Sequence, residues 1–293
     1  MHVVCVGDLM VDVLAELPGP LAVGSDTPAP VTTAGGGAAA NVAAWLVAAG
    51  VESTFVGRAG DDAFGRFAVD ELRAAGVRTS VVIDTERPTG TCVVLVDPEG
   101  ERTMIPSSGA NGGPVDVEAV LPASADLLYL SGYTLLGAAS RPFGADVLAL
   151  ARRRGWPVAV DAASAAPLAS MPDFLDAVGH DVLLFANTDE AVVLTGLDEA
   201  AAAAQSLALR CGRAVVKRGA AGAVWSDGSG VWTAPAVPVE AAERVDSTGA
   251  GDAFAAGFLA ASLSGDAPGD SLRGGAALAA RALRRVGARP GRG

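Results

Sequence analysis

Short β-branched runs alternate with alanine-rich stretches along most of this chain, and that rhythm admits few folds. It is the pattern of βαβ units, in which helices cross over a sheet of parallel strands. Strands are predicted at Val3–Gly7, Ser53–Gly57, Asp126–Leu130, Pro157–Asp161, Val182–Phe185 and Ala214–Lys217. Helices are predicted at Ala38–Ala49, Ala63–Ala75, Arg141–Arg154, Glu199–Arg210, Ala250–Leu263 and Ser271–Val286, with Gly50 and Gly76 stopping the first two. Two segments break the rhythm. Val11–Leu17 and Thr91–Ile105 read as antiparallel strands, the second folding at Asp97-Pro98-Glu99-Gly100. No linker or low-complexity stretch separates them, so the reading is one α/β domain over residues 1–293, with a small β lid inserted at about 11–34 and 83–107.

Composition removes whole classes of function. Apolar residues make up 51% of the chain, ample for a packed core, and 33 acidic against 21 basic side chains leave a net charge of −12. That balance excludes a general nucleic-acid or membrane-surface binder, which needs Lys/Arg patches. A polyanionic ligand must then be met by backbone amides or a metal ion. Cys5, Cys92 and Cys211 are far apart and odd in number, which argues against a disulfide framework or a zinc site. The start lacks a basic segment and a long apolar run, so no signal peptide is expected and the cytoplasm is the expected compartment. The chain has no HExxH, GxSxG or GxxxxGK[ST].

The segment richest in chemistry is Asp246-Ser247-Thr248-Gly249-Ala250-Gly251-Asp252, which opens an apolar helix. A helix N-terminus offers unpaired N–H groups and a positive dipole end, hence an anion site. Gly249 and Gly251 let a ligand approach the backbone. Asp252 in the first turn is electrostatically awkward beside a phosphate, which suits a base that takes a proton from an attacking hydroxyl. The plain alternative is a glycine turn with Asp252 capping the helix.

This segment resembles the DTGAGD signature of the PfkB (ribokinase-like) family of ATP-dependent sugar and nucleoside kinases. Gly35-Gly36-Gly37 with Asn41, then Val56-Gly57 and Asp61-Asp62-Ala63-Phe64-Gly65, is similar to the family's N-terminal signature, and Asn187-Thr188-Asp189-Glu190 to its NxxE. With Gly7-Asp8 on the first strand, the likeness covers nearly all 293 residues. It implies a ribokinase-like three-layer sandwich with a mostly parallel central sheet. It also implies an enzyme moving the γ-phosphate of MgATP to a hydroxyl of a sugar or nucleoside. Asp252 would be the base, and the Gly249-Ala250-Gly251 amides the anion hole. Asn187 and Glu190 would organise Mg²⁺ through water, against the plain reading of an ordinary helix start. Asp12, Gly36, Gly37 and Asn41 would line the acceptor pocket; otherwise Asp12 is an exposed lid carboxylate and Asn41 faces solvent. Thr248, Lys217, Gly219 and Gly222 would lie along the nucleotide, although a strand-end lysine is commonly just solvated. Ala276, Ala279 and Ala280 would border adenine or simply pack between helices. A monovalent cation such as K⁺ and a homodimer through the lid follow from the same resemblance; a solution mass checks the second.

The departures fall on the acceptor side. Met10 stands where many members have Asn, and Ala38 where ribose-type members have Lys, which weighs against ribose. The pocket positions Met10, Asp12, Gly36, Gly37, Ala38 and Asn41 carry one negative charge and no positive one. A neutral polyol acceptor is therefore expected, with Arg102 on the lid as the one cation placed to rescue a phosphorylated acceptor. A nucleoside kinase is the nearest alternative, and a non-catalytic sensor on the same fold the remote one.

Overall fold

The computed structural model describes residues 1–99 and 101–291. Its strands, in chain order, are β1 (His2–Val6), β2 (Met10–Glu16), β3 (Val31–Gly36), β4 (Glu52–Gly60), β5 (Arg78–Asp84), β6 (Gly90–Val96), β7 (Arg102–Ser107), β8 (Leu127–Ser131), β9 (Val158–Asp161), β10 (Val182–Asn187), β11 (Gly212–Lys217), β12 (Ala223–Ser226) and β13 (Val231–Ala234). Nine of them form one sheet in the order β13-β12-β11-β10-β9-β8-β1-β4-β5. All pairs from β11 to β5 are parallel, and β12 and β13 extend the sheet antiparallel.

Both faces of this sheet are covered, which is why its central strands are apolar throughout. Alternate side chains sort onto two cores. Val3, Cys5, Tyr129 and Phe185 face the helices Ala38–Ala48, Ala250–Leu263 and Pro268–Ala282; Val4, Val6, Leu128 and Leu184 face Arg141–Arg153 and Ala200–Cys211. The result is a three-layer α/β sandwich, the architecture that the resemblance implies. Phe258 meets Phe185 edge-to-face at 5.5 Å, fixing the helix that carries Asp252 to strand β10. An aromatic contact of this kind adds about 0.5–1.5 kcal/mol beyond its buried area.

The chain winds outward from β1 in two directions, through β4 and β5 on one side and β8 to β11 on the other. Such a reversal opens a crevice at the C-terminal strand ends, where ligands of open α/β sheets bind. Asp8, Ser131, Asp161, Asn187 and Lys217 all stand at those ends.

The four remaining strands form a second sheet, β3-β2-β6-β7, held by a small cluster of Met10, Leu14, Cys92 and Val94. The pairs β2–β3 and β6–β7 are antiparallel, whereas β2 and β6 run parallel to each other. This corrects the sequence-based view of the two segments as simply antiparallel. The β6–β7 turn is closed by Asp97, whose side chain accepts from Glu99 N (3.0 Å) and Glu101 N (2.8 Å). Gly100 of that turn lies outside the described residues.

Sequence patterning located most elements within two or three residues. The helix expected at Ser271–Val286 instead spans Pro268–Ala282, because Pro268 occupies its first turn, where proline needs no N–H partner. Strands β3, β5, β12 and β13 were not anticipated. β3 ends in Gly35-Gly36, whose composition reads as a loop. The three cysteines are separate buried thiols. Among the described residues no single helix is long and apolar enough to cross a membrane.

Candidate active site

The helix Ala250–Leu263 begins at Gly249 with no side-chain cap; Ala250 N turns back to the Ser247 carbonyl at 3.3 Å, whereas the Gly251 and Asp252 amides have no backbone partner. Asp252 is not that cap. Its Oδ2 accepts from Asn41 Nδ2 at 2.8 Å, across 211 positions of sequence. Burial pushes the Asp252 carboxyl up to about 7; the Asn41 bond opposes this and nearby Asp161 adds to it. A carboxyl held near neutrality is suited to taking up a proton at physiological pH.

The two glycines flanking Ala250 have different reasons. Gly249 takes a left-handed φ of +72°, and a Cβ there would run into the Ala288 carbonyl, so the fold itself requires it. At Gly251 an added Cβ would meet only Lys217 Nζ, at 3.5 Å. Glycine inside a helix costs about 0.5–1 kcal/mol relative to alanine. Nothing within the protein offsets that cost at Gly251.

Behind this turn lies a knot of charge. Lys217 Nζ pairs with Asp161 Oδ2 at 2.8 Å, so the lysine is not the free, solvated strand end that its position suggested. Burial works against its charge, but Asp161 and Glu190 outweigh burial and raise its pKa. Asn187 and Glu190 form a reciprocal cap on the helix Thr188–Thr195. Asn187 Oδ1 accepts from Glu190 N (2.9 Å), and Glu190 Oε2 accepts from Asn187 N (2.7 Å). A third bond runs from Asn187 Nδ2 to Glu190 Oε1 at 2.8 Å. Glu190 is 2% exposed, and its pKa is raised by burial and by Asp161, against the pull of Lys217. The helix-start reading thus describes their local role.

A cleft of about 760 Å³ opens beside Gly251. Lys217, Gly219 and Gly222 border it on one side, and Ala276, Ala279 and Ala280 on the other, with Asn187 at its edge. Glu190 and Thr248 stand outside its lining. The volume, apolar wall and amide-lined end fit a nucleoside triphosphate. No group of three or more His, Cys, Asp or Glu arranged for a metal occurs among the described residues. Magnesium that arrives on phosphate oxygens and keeps most of its waters needs no such cage.

On the lid side each glycine of the triplet makes room for a partner: Gly35 for Arg289 and Glu71, Gly36 for the Asp12 carboxylate, and Gly37 for the Asp8 carbonyl. Burial pushes Asp12 up to about 6, with Arg289 pulling it back, so Asp12 is not a freely exposed lid carboxylate. Asn41 is 5% exposed and points inward at Asp252. Met10 packs in the lid cluster, where Asn111 Nδ2 lies 3.3 Å from its sulfur. Arg102 of β7 is ion-paired with Asp246, which also accepts from Thr248 N (2.6 Å) and Gly287 N (2.9 Å).

Residues 1–292 match the sequence profile of the pfkB family carbohydrate kinases. The chain belongs to that family. It is 33% identical over 301 residues to the 2-dehydro-3-deoxygluconokinase of Thermoproteus tenax, covering 97% of this chain and 88% of that protein. It is 33% identical over 256 residues to the ATP-dependent ribose-1-phosphate kinase of Halopiger xanaduensis, covering 86% and 79%. The adenosine kinase structure from Sinorhizobium meliloti superposes with a TM-score of 0.87 at 26% identity, covering 99% of this chain and 95% of that one. The protein is a carbohydrate kinase that transfers phosphate from ATP, with magnesium implied by the family.

Two features of this pfkB protein escaped the sequence reading. Arg289 reaches the lid side, beside Gly36 and Asn41, from the C-terminal stretch and supplies a positive charge where none was expected; Nη2 donates to the Gly36 carbonyl at 2.7 Å. Only the Arg-Pro-Gly sequence there, a turn signal, marks the place. The second is Asp161 as the partner of Lys217. In the turn after it, Ala163 takes a φ of +75°, a region that alanine rarely visits.

Proposed function

We propose that this kinase phosphorylates a hydroxyl of a neutral sugar or sugar-like acceptor, with Asp252 as general base and the Gly249–Gly251 amides as anion hole. The observation that carries the reading is the pairing of Asp252 with Gly251, a glycine the surrounding protein does not require. ATP lies in the 760 Å³ cleft with its γ-phosphate at the helix start. Asp252 takes the acceptor proton, the freed oxygen bonds to the γ-phosphorus, and the bond to ADP breaks. Charge on the transferred group falls on the amides and on Lys217. Magnesium would supply neutralisation of the triphosphate, with Asn187 and Glu190 behind its waters.

The acceptor sits between Asp252 and the lid strands, where Asp12 of β2 receives bonds from adjacent hydroxyls. Neutrality follows from charge balance: Arg102 is ion-paired with Asp246, and Arg289 lies against Glu71 with two of its nitrogens bonded to Asn41 and Gly36 and its Nη1 buried without a hydrogen bond. The test is ATP turnover with fructose, 2-dehydro-3-deoxygluconate, ribose and adenosine, and with fructose 6-phosphate and ribose 1-phosphate. Higher kcat/KM for a phosphorylated acceptor, or for the carboxylate 2-dehydro-3-deoxygluconate, would overturn the neutral assignment; no turnover on any would overturn the acceptor class. The lid's outer strands β3 and β7 expose Val31, Met104 and Ile105, and a second copy covering those edges makes a homodimer. A monomeric mass at micromolar concentration excludes that use of the lid.

A further inference from the structure

The stretch from Gly287 to Pro290 touches three parts of the site at once. Gly287 N donates to Asp246 Oδ2, the Trp45 indole donates to the Ala288 carbonyl at 2.9 Å, and Ala288 fills the space that Gly249 leaves. Arg289 follows, its side chain 9% exposed. Its Nε donates to Asn41 Oδ1 (3.2 Å), its Nη2 to the Gly36 carbonyl (2.7 Å), and its Nη1 lies 3.6 Å from Glu71 Oε2. Glu71 Oε2 in turn accepts from Gly35 N at 2.7 Å.

A carboxamide has a donor end and an acceptor end, while a guanidinium can only donate. Arg289 therefore takes the oxygen of Asn41 and leaves its nitrogen to face Asp252. With Oδ2 engaged by Asn41, Asp252 Oδ1 is left for the acceptor hydroxyl. The same guanidinium holds the end of β3, against which the acceptor is proposed to lie. We infer that Arg289 is a positioning residue for phosphoryl transfer: it sets the sense of the Asn41 amide, and through it the base, while fixing the Gly35–Gly36 wall of the acceptor pocket. This rests on the reading of Asp252 as base. Glu71 lies close enough to balance the charge, and Nε and Nη2 are spent on Asn41 and Gly36, so these two nitrogens act by orientation, while Nη1 is buried without a hydrogen-bond partner.

The groups that face Asp252 are Asn41 from its helix, Asp161 and Lys217 at the ends of β9 and β11, Asp8 after β1, Tyr129 on β8, and Arg289. Arg289 favours the ionised carboxylate both directly and through Asn41. Arg289→Gln is therefore expected to move the acid limb of the kcat–pH profile upward by about one unit, one hydrogen bond's worth. On the acid side kcat falls about tenfold and recovers at higher pH; KM for ATP stays unchanged and KM for the acceptor rises. Asn41→Ala moves the limb the same way, and the double variant moves it little further. Arg289→Lys keeps the charge but cannot hold both oxygens, so an intermediate shift is expected; it also serves if the glutamine variant fails to fold. An unmoved limb in either Arg289 variant, with activity and melting temperature falling together, would make the residue a brace and overturn the proposal. If Asn41→Ala moves the limb but Arg289→Gln does not, the base stands and only Arg289 loses its role. If Asp252→Asn turns over normally, the base assignment falls first.

Discussion

The two sides of the helix that starts at Gly249 are built on different principles. Toward the cleft proposed for the nucleotide the protein presents mainly backbone and methyl groups, through Gly219, Gly222 and Gly251 and the alanines at 276, 279 and 280, with Lys217, Arg244 and Ser247 among them. Toward the lid it presents paired side chains: Asn41 on Asp252, Arg289 on Asn41 and Glu71, Arg102 on Asp246. A surface of amides and methyls grips what is common to every triphosphate. A surface of interlocked side chains fixes geometry, and one substitution disturbs several partners. Under the proposed assignment, the lid side is where specificity would be set and where errors would cost most.

The strongest way to break this contrast is Asp252→Asn. Loss of a general base predicts kcat lower by about 10²–10⁴-fold, with binding of both substrates largely kept. The same substitution should stabilise the fold. With Asp252 raised to about 7, the native state binds a proton more readily than the unfolded chain, so its destabilisation is absent below about pH 4 and grows as pH rises through 7. Melting temperatures of variant and wild type should agree near pH 4 and diverge in the variant's favour at pH 8. Activity of the wild type should fall as pH drops through about 7. Normal turnover in the variant would remove the base from this side altogether.

A smaller effect, confined to the acceptor, is expected for Asp12→Ala. Losing one charge-assisted hydrogen bond, at about 1.5–3 kcal/mol, raises the acceptor KM roughly 10–100-fold and leaves KM for ATP alone. Because Asp12 is pushed up to about 6, acceptor affinity in the wild type should weaken as pH falls through that value. Equal changes in both KM values would mean that the two sides are not separable.

Gly251→Ala sharpens the contrast at the smallest scale. Alanine suits the helix better by about 0.5–1 kcal/mol, and the new methyl has space beside Lys217. Thermal stability should rise slightly while kcat falls several-fold, since the methyl stands where phosphate is proposed to approach. An unchanged kcat would place the anion elsewhere.

What could be read in the chain beforehand divides along the same line. The parallel sheet, the helix at Ala250 and the glycine turn depend on neighbours in sequence, so periodicity and composition exposed them. Gly219 and the three alanines could be assigned to the nucleotide only through resemblance, yet they do line one cleft. The acceptor side joins residues 12, 36, 41, 71 and 289, which meet only after the sheet has formed. No local pattern marks Glu71, only a turn signal lies at Arg289, and Arg102 was assigned a free charge that Asp246 in fact holds. Strand β3 stayed hidden because its glycines serve close approach, which composition cannot distinguish from a loop.

The alanine wall has one more consequence. Side chains ending in methyl groups offer no donor or acceptor, so Ala276, Ala279 and Ala280, with Val237 and Leu283 beside them, can gauge the thickness of a ring but cannot read its edge. If a base docks against this wall, any reading of its edge falls to backbone groups and to the few polar side chains elsewhere in the lining, Arg244 and Ser247 among them.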